Sequence, residues 1–147
     1  MGYGSNKIVR IMEENISRIP FVVGVNNHMG SRFTRYEGEV FETLQVVKEK
    51  GLFFVDSLTT GRSKAYETAR NLNMPAASRN VFLDNVLEES AIIRQLSLLK
   101  KSALKHGHSV GIGHPFPETA RAIRSFLKEP GAPGFAWVHV SRLIESG

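Results

Sequence analysis

Apolar positions along the chain follow two different spacings, and each predicts a different kind of element. Five short runs rich in β-branched or aromatic residues, at 21–25, 52–55, 80–83, 109–113 and 136–140, have the length and composition of strands. Between them the spacing turns helical. Ile8, Ile11, Met12, Ile16 and Ile19 form one stripe, and Val40, Phe41, Leu44 and Val47 a second. Ile92, Ile93, Leu96, Leu99 and Leu104 form a third, and Ala120, Ile123 and Leu127 a fourth. A further helix is expected from Thr59 or Thr60 to Leu72, with Ala65, Ala69 and Leu72 inward. Gly51 and Gly107 each follow a basic residue and precede a strand, as helix stops do. The Pro/Gly-rich stretch at 130–134 reads as a loop. Strict alternation of helix and strand argues for an α/β fold with a parallel sheet of about five strands, open or curled into a barrel. The nearly continuous apolar strands fit burial on both faces.

In parallel α/β architectures chemistry collects where strands end. The first run leads into Asn26, Asn27, His28, Gly30, Ser31 and Arg32, the second into Asp56 and Ser57. The third leads into Asp84, the fourth into His114 and Pro115, and the fifth into Ser141 and Arg142. With all strands parallel, two imidazoles and two carboxylates share one rim. Each has a structural alternative. Asp84 at a helix start is also a good N-cap, and so are Asp56 and Ser57. A single His after a strand is commonly structural, although two on one rim, each near a glycine, weigh toward function. His106 and His108 fall at the opposite end of a strand and read as solvated, while His139, inside the fifth run, reads as structural.

Composition narrows the chemistry. The 147 residues, 41% of them hydrophobic, suffice for one ordinary domain over 1–147, and the absence of Cys excludes disulfides, thiolate metal sites and a Cys nucleophile. No uncharged apolar run approaches the roughly 20 residues of a membrane span. The first twenty residues carry Lys7, Arg10, Glu13, Glu14 and Arg18, unlike a signal peptide. A net charge of +5 invites a nucleic-acid reading. The charges are spread over every predicted helix, however, and the densest basic stretch, 62–79, has only Tyr66 as an interleaved aromatic, so no nucleic-acid partner is expected. His with Asp suits Zn²⁺ or a similar divalent ion in an open site, and an Asp-oriented His suits general acid work. Ser31 and Ser57 lie outside a Gly-x-Ser-x-Gly elbow, and Gly111 with Gly113 makes no complete phosphate-binding fingerprint.

Four blocks at these strand ends, 23–34 (Val-Gly-Val-Asn-Asn-His-Met-Gly-Ser-Arg-Phe-Thr), 51–57, 79–85 and 112–115 (Ile-Gly-His-Pro), resemble in order and spacing the successive motifs of the divergent polysaccharide deacetylases. The resemblance covers essentially the whole chain. It implies a partial deformed (β/α) barrel and metal-dependent hydrolysis of N-acetyl groups on a polysaccharide or oligosaccharide. Carried over by position, it makes His28 the metal ligand, with Zn²⁺ the expected ion, and His114 the catalytic acid. Asp84 becomes the carboxylate that orients His114, Asp56 lines the site, and Asn26, Asn27, Ser31 and Arg32 shape a substrate-binding rim. The resemblance also implies an Asp-Asp pair on an earlier strand, which this chain lacks, so the expectation is the carboxyl-terminal part of such a domain. Two functions then stand side by side: a deacetylase-like hydrolase, and a non-catalytic carbohydrate-binding or envelope-associated module. Family substrates point to the bacterial cell envelope or periplasm. An incomplete barrel leaves a strand edge open, to be covered by a second copy or by an amino-terminal part of the domain.

Overall fold

Helix stops and short strands organise the protein, as seen in a computed structural model that describes residues 5–128 and 135–144. They form two units, residues 5–78 with Ile144 and Arg79–Leu143. The first contains α1 (Ser5–Ser17), β1 (Gly24–Asn26), α2 (Glu37–Glu49), β2 (Phe53–Asp56), α3 (Ala65–Asn71) and β3 (Ala76–Ser78). Its strands make a parallel sheet in the order β1-β2-β3, with Val25 opposite Phe54 and Asp56 opposite Ser78. The second contains β4 (Val81–Phe82), α4 (Glu89–His106), β5 (Gly111–Ile112) and α5 (Pro117–Lys128), with β4 and β5 paired in parallel. The protein is therefore α/β with parallel strands joined through helices. Among the described residues no helix is long and apolar enough to cross a membrane.

Each unit has its own core. In the first, Val40, Leu44 and Val47 of α2 pack with Leu52, Phe54, Ala69, Met74 and Ala76. In the second, Ile92, Leu96 and Leu99 of α4 pack with Leu83, Ala122 and Phe126. Gly24 faces Phe53 across the β1–β2 ladder, and the Phe53 ring occupies the space where a Cβ would stand, so a side chain there would require the ring to move.

Four expectations are corrected. The run at 136–140 is not a strand: residues 135–139 are irregular and lead into a 3-10 turn, Val140–Arg142. Trp137 there packs edge-on against Phe126 and Phe135, an attachment through rings that leaves the segment's backbone out of any ladder. His139 consequently lies exposed in irregular chain. Conversely β3, which lies outside every apolar run named from the sequence, is a strand. Ala76 and Ala77 lack strand propensity, but Pro75 O accepts the Phe54 N–H at 3.0 Å and burial does the rest. Helix α3 starts at Ala65, because Asp56 holds residues 58–64 in a loop and accepts a bond from the first turn of the helix (below). On α5 the buried face is Thr119, Ala122 and Phe126, with Ala120 and Leu127 exposed. Counting apolar residues alone missed that a polar Thr leads the inward face. The expected loop at 130–134 lies outside the described residues.

The helix stops can be traced bond by bond. After α2, Gly51 sits at φ +67°, its N–H bonds Lys48 O at 2.8 Å, and Leu52 N–H bonds Val47 O at 3.1 Å. This is a Schellman motif, in which a left-handed residue lets the last carbonyls find donors. Asn73, at φ +53°, repeats the pattern after α3 with bonds from Asn73 N–H to Arg70 O and Met74 N–H to Ala69 O. A Cβ on Gly51 would meet nothing within 4 Å, so its substitution tests conformation alone. Gly51→Ala is expected to lower stability by about 1–2 kcal/mol, and Asn73→Gly to leave it equal or slightly higher, both read from urea unfolding midpoints.

Candidate functional site

A carboxylate buried at the end of a parallel strand must find donors or lose its charge. Asp84 follows β4, and its side chain is fully buried. Its Oδ2 accepts the His114 backbone N–H at 2.6 Å and the Thr119 hydroxyl at 2.8 Å. Its Oδ1 lies 3.0 Å from His114 Nδ1. Burial pushes the Asp84 carboxyl up, yet these hydrogen bonds, with the attraction of a charged His114 ring, outweigh burial and hold it below its ordinary value. Asp84 is therefore a carboxylate, and a carboxylate only accepts. The Nδ1 must carry the hydrogen, which leaves Nε2 as the atom that exchanges a proton.

His114 follows β5, with its side chain 34% exposed. Phe82 and Phe116 flank the ring, with centroids at 5.5 and 5.2 Å. Gly113 lies close beside it: a Cβ there would stand 3.1 Å from Asp84 Oδ2, tighter than ordinary contact. Asp84 does not cap the helix that follows: α4 begins after Glu88, without a side-chain cap. Sequence reasoning missed Thr119, Phe82 and Phe116. Thr119 is 35 residues from Asp84, and no local pattern links the two. Phe116 is next to Pro115, the nearest thing to a signal.

The first unit places His28 on the exposed loop after β1, with Asn26 exposed beside it. Asn27 Oδ1 accepts the Ser57 N–H at 2.7 Å and Asn26 Nδ2 donates to Ser57 Oγ at 3.1 Å, so the ends of β1 and β2 are tied together. Ser31 and Arg32 are exposed in the turn leading to a 3-10 helix, Phe33–Arg35. Met29 and Leu58, one residue beyond His28 and Ser57, adopt left-handed backbones at φ +53° and +46°. Such conformations cost about 1–3 kcal/mol each and persist only where surrounding bonds impose them. Asp56 supplies those bonds at Leu58. It is wholly buried; Oδ1 accepts the Leu58 N–H at 2.9 Å, and Oδ2 accepts the Ser63 hydroxyl at 2.7 Å and the Tyr66 N–H at 3.1 Å. Its oxygens tie down the loop and the first turn of α3.

A divalent ion needs a set of converging donors, three protein ligands in a typical catalytic zinc site. Among the described residues no three His, Asp or Glu side chains converge in that way. Both Asp56 oxygens are engaged by loop donors, and both Asp84 oxygens by His114 and Thr119. The donors described here do not fit a divalent ion by themselves.

The buried Asp84 predicts a pH-dependent stability. A carboxyl with a lowered native pKa stabilises fully above its unfolded value, about 3.9, and that stabilisation is lost as pH falls through the lower native value. Asp84→Asn is expected to cost about 1–3 kcal/mol at pH 7, with the gap to wild type shrinking by pH 3 in urea unfolding.

Residues 2–144 match the sequence model of the divergent polysaccharide deacetylases. The chain is 32% identical over 123 residues to the uncharacterized protein YibQ of Escherichia coli (strain K12), covering 84% of this chain and 39% of that protein. It is 36% identical over 106 residues to an uncharacterized protein of Haemophilus influenzae, covering 72% and 38%. The crystal structure of the uncharacterized protein ATU2773 from Agrobacterium tumefaciens C58 is similar at a TM-score of 0.82 and 28% identity, over 90% of this chain and 56% of that one. The chain thus spans about two fifths of these curated relatives and just over half of the solved chain. The four strand-end motifs lie within the matched span, and the chain belongs to the divergent polysaccharide deacetylase family.

Proposed function

We propose that this chain supplies proton transfer for hydrolysis of the N-acetyl amide of a polysaccharide or oligosaccharide. One observation carries the reading: the Asp84–His114 pair at the ends of β4 and β5, with Nδ1 held by a buried carboxylate and the ring partly open to solvent. Family membership supports the carbohydrate substrate and the hydrolytic class. In the reaction a water oxygen joins the acetyl carbon, the carbon–nitrogen bond breaks to leave acetate, and the proton lost by the water passes to solvent, from which the His114 ring is recharged. The imidazolium Nε2 of His114 gives its proton to the departing amine nitrogen. Asp84 keeps the ring in the tautomer that presents Nε2. Asn26, Ser31 and Arg32 offer polar groups to sugar hydroxyls on the first unit's rim, which Asn27 shapes by holding the Ser57 N–H. His28 remains the proposed contact for a divalent ion such as Zn²⁺, with further donors required beyond those described, and no step here runs through that ion.

A second reading, a carbohydrate-binding module without chemistry, is favoured by that shortfall of metal donors. Acetate release from N-acetylated chito-oligosaccharides, with Zn²⁺, Co²⁺ or Ni²⁺ added, separates the two. The hydrolase reading expects release by wild type and a drop of about 10²–10⁴-fold in His114→Ala, whereas release untouched by that substitution rules out the assigned acid. Oligosaccharide binding without any release supports the module.

The β1 edge supports a further part of the proposal. In the order β1-β2-β3 the first strand is terminal, and Phe21 and Val23 just before it are 99% and 66% exposed. Such an edge invites another strand. Self-association is expected as a sedimentation mass that rises with concentration through tens of micromolar; a constant monomer mass would contradict it.

A further inference from the structure

One helix of the second unit carries cations along its outer face with no acid among them. After Glu89 in its first turn, α4 contains Arg94, Lys100, Lys101 and Lys105, and the next acidic residue in the chain is Glu118. Arg94, Leu98, Lys101 and Lys105 recur at three- and four-residue spacing, which places them on one side of the helix. All four are exposed, while Ile92, Leu96 and Leu99 turn into the core. A basic last turn complements the helix dipole and accounts for Lys105. Arg94 and Lys101 lie further back and have no such reason. Among the described residues none of these three cations makes an ion pair.

Apolar side chains stand beside the charges. Leu98 and Leu104 are 50% and 52% exposed, where a merely solvated helix face carries polar residues. The segment after α5 lies along the same helix: Lys100 Nζ sits 5.7 Å from the Phe135 ring centroid, and Leu104, Trp137 and Val138 line a common cavity of about 100 Å³. Trp137 and Val138 are themselves 44% and 48% exposed. Cations interspersed with leucine and tryptophan suit the headgroup layer of a membrane. Lipid phosphates meet the cations, the leucines enter the acyl boundary, and the indole rests at the interface. A soluble polyanion would match the cations and leave the apolar side chains unused.

We propose that the outer face of α4, with the Trp137 segment, docks on an anionic phospholipid surface. Docking of this kind needs no helix that crosses the bilayer. Helix α4 runs from the carboxyl end of β4 to the amino end of β5, so its basic half lies away from His114, which follows β5. The proposal is independent of His114, and acetate release neither supports nor weakens it.

Trp137 is the only tryptophan in the chain, so its emission reports docking directly. The full chain is titrated with vesicles of phosphatidylglycerol and phosphatidylcholine in equal parts, and with phosphatidylcholine alone. The expected result is a blue shift and co-sedimentation with the anionic vesicles only. Binding should weaken at least about tenfold as salt rises from about 0.1 to 1 M and the screening length falls from about 10 to 3 Å. Lys101→Gln with Lys105→Gln should cost about fivefold for each cation removed. Leu98→Gln with Leu104→Gln should cost about tenfold or more with the charge unchanged. Both pairs are exposed, and circular dichroism should match wild type. Absence of vesicle binding overturns the proposal, as does equal binding to phosphatidylcholine alone or binding untouched by the lysine pair. An unshifted Trp137 spectrum, with dextran sulfate bound as tightly as the vesicles and the leucine pair without effect, assigns the face to a soluble polyanion instead.

Discussion

The constraint behind both halves of this protein is that a charged carboxylate cannot be buried without donors. Asp56 and Asp84 occupy equivalent places, each at or just after the carboxyl end of a parallel strand, and each accepts three or more hydrogen bonds. The source of the donors separates them. Asp56 takes all of its donors from within ten residues, so it shapes its own loop and the start of α3. Asp84 takes its donors from 30 and 35 residues away. It therefore staples β5 and α5 to β4, and one of its donors is an imidazole that solvent can reach. The same physics yields a loop clamp in one unit and a carboxylate–imidazole pair in the other.

The two units organise their strand ends in different ways. The second unit brings its members together through Asp84: remove the carboxylate and the His114 ring loses its Nδ1 partner and Thr119 its acceptor. The first unit organises its rim through the backbone. Asn27 and Ser57 join two strand ends, and Met29 and Leu58 take up costly left-handed conformations beside them. Strain of this kind is compatible with a rim built to present polar groups.

Legibility from sequence followed the range of the interactions. Helix stops at Gly51 and Gly107, four of the strands and the helical stripes all rest on contacts within a few residues, and their patterns are visible in a linear chain. The errors have one cause. The Ala76–Ser78 strand and the irregular 135–139 segment contradict local propensity because Phe54 recruits the one and a Trp137–Phe126 contact holds the other. The late start of α3 and the rotated face of α5 trace to Asp56 and to Thr119, polar residues that an apolar count does not weigh. In the site, His114 and Asp84 were both marked by position, whereas Thr119, Phe82 and Phe116 carried no comparable mark.

The sequence by itself determined the α/β class, the parallel connections and the family, since the order of strands, the turn chemistry and the strand-end motifs are local features. Only the tertiary structure decided which carboxylate is a clamp and which positions an imidazole. A strand-end Asp looks the same in either role, and its role depends on donors that folding delivers from elsewhere in the chain.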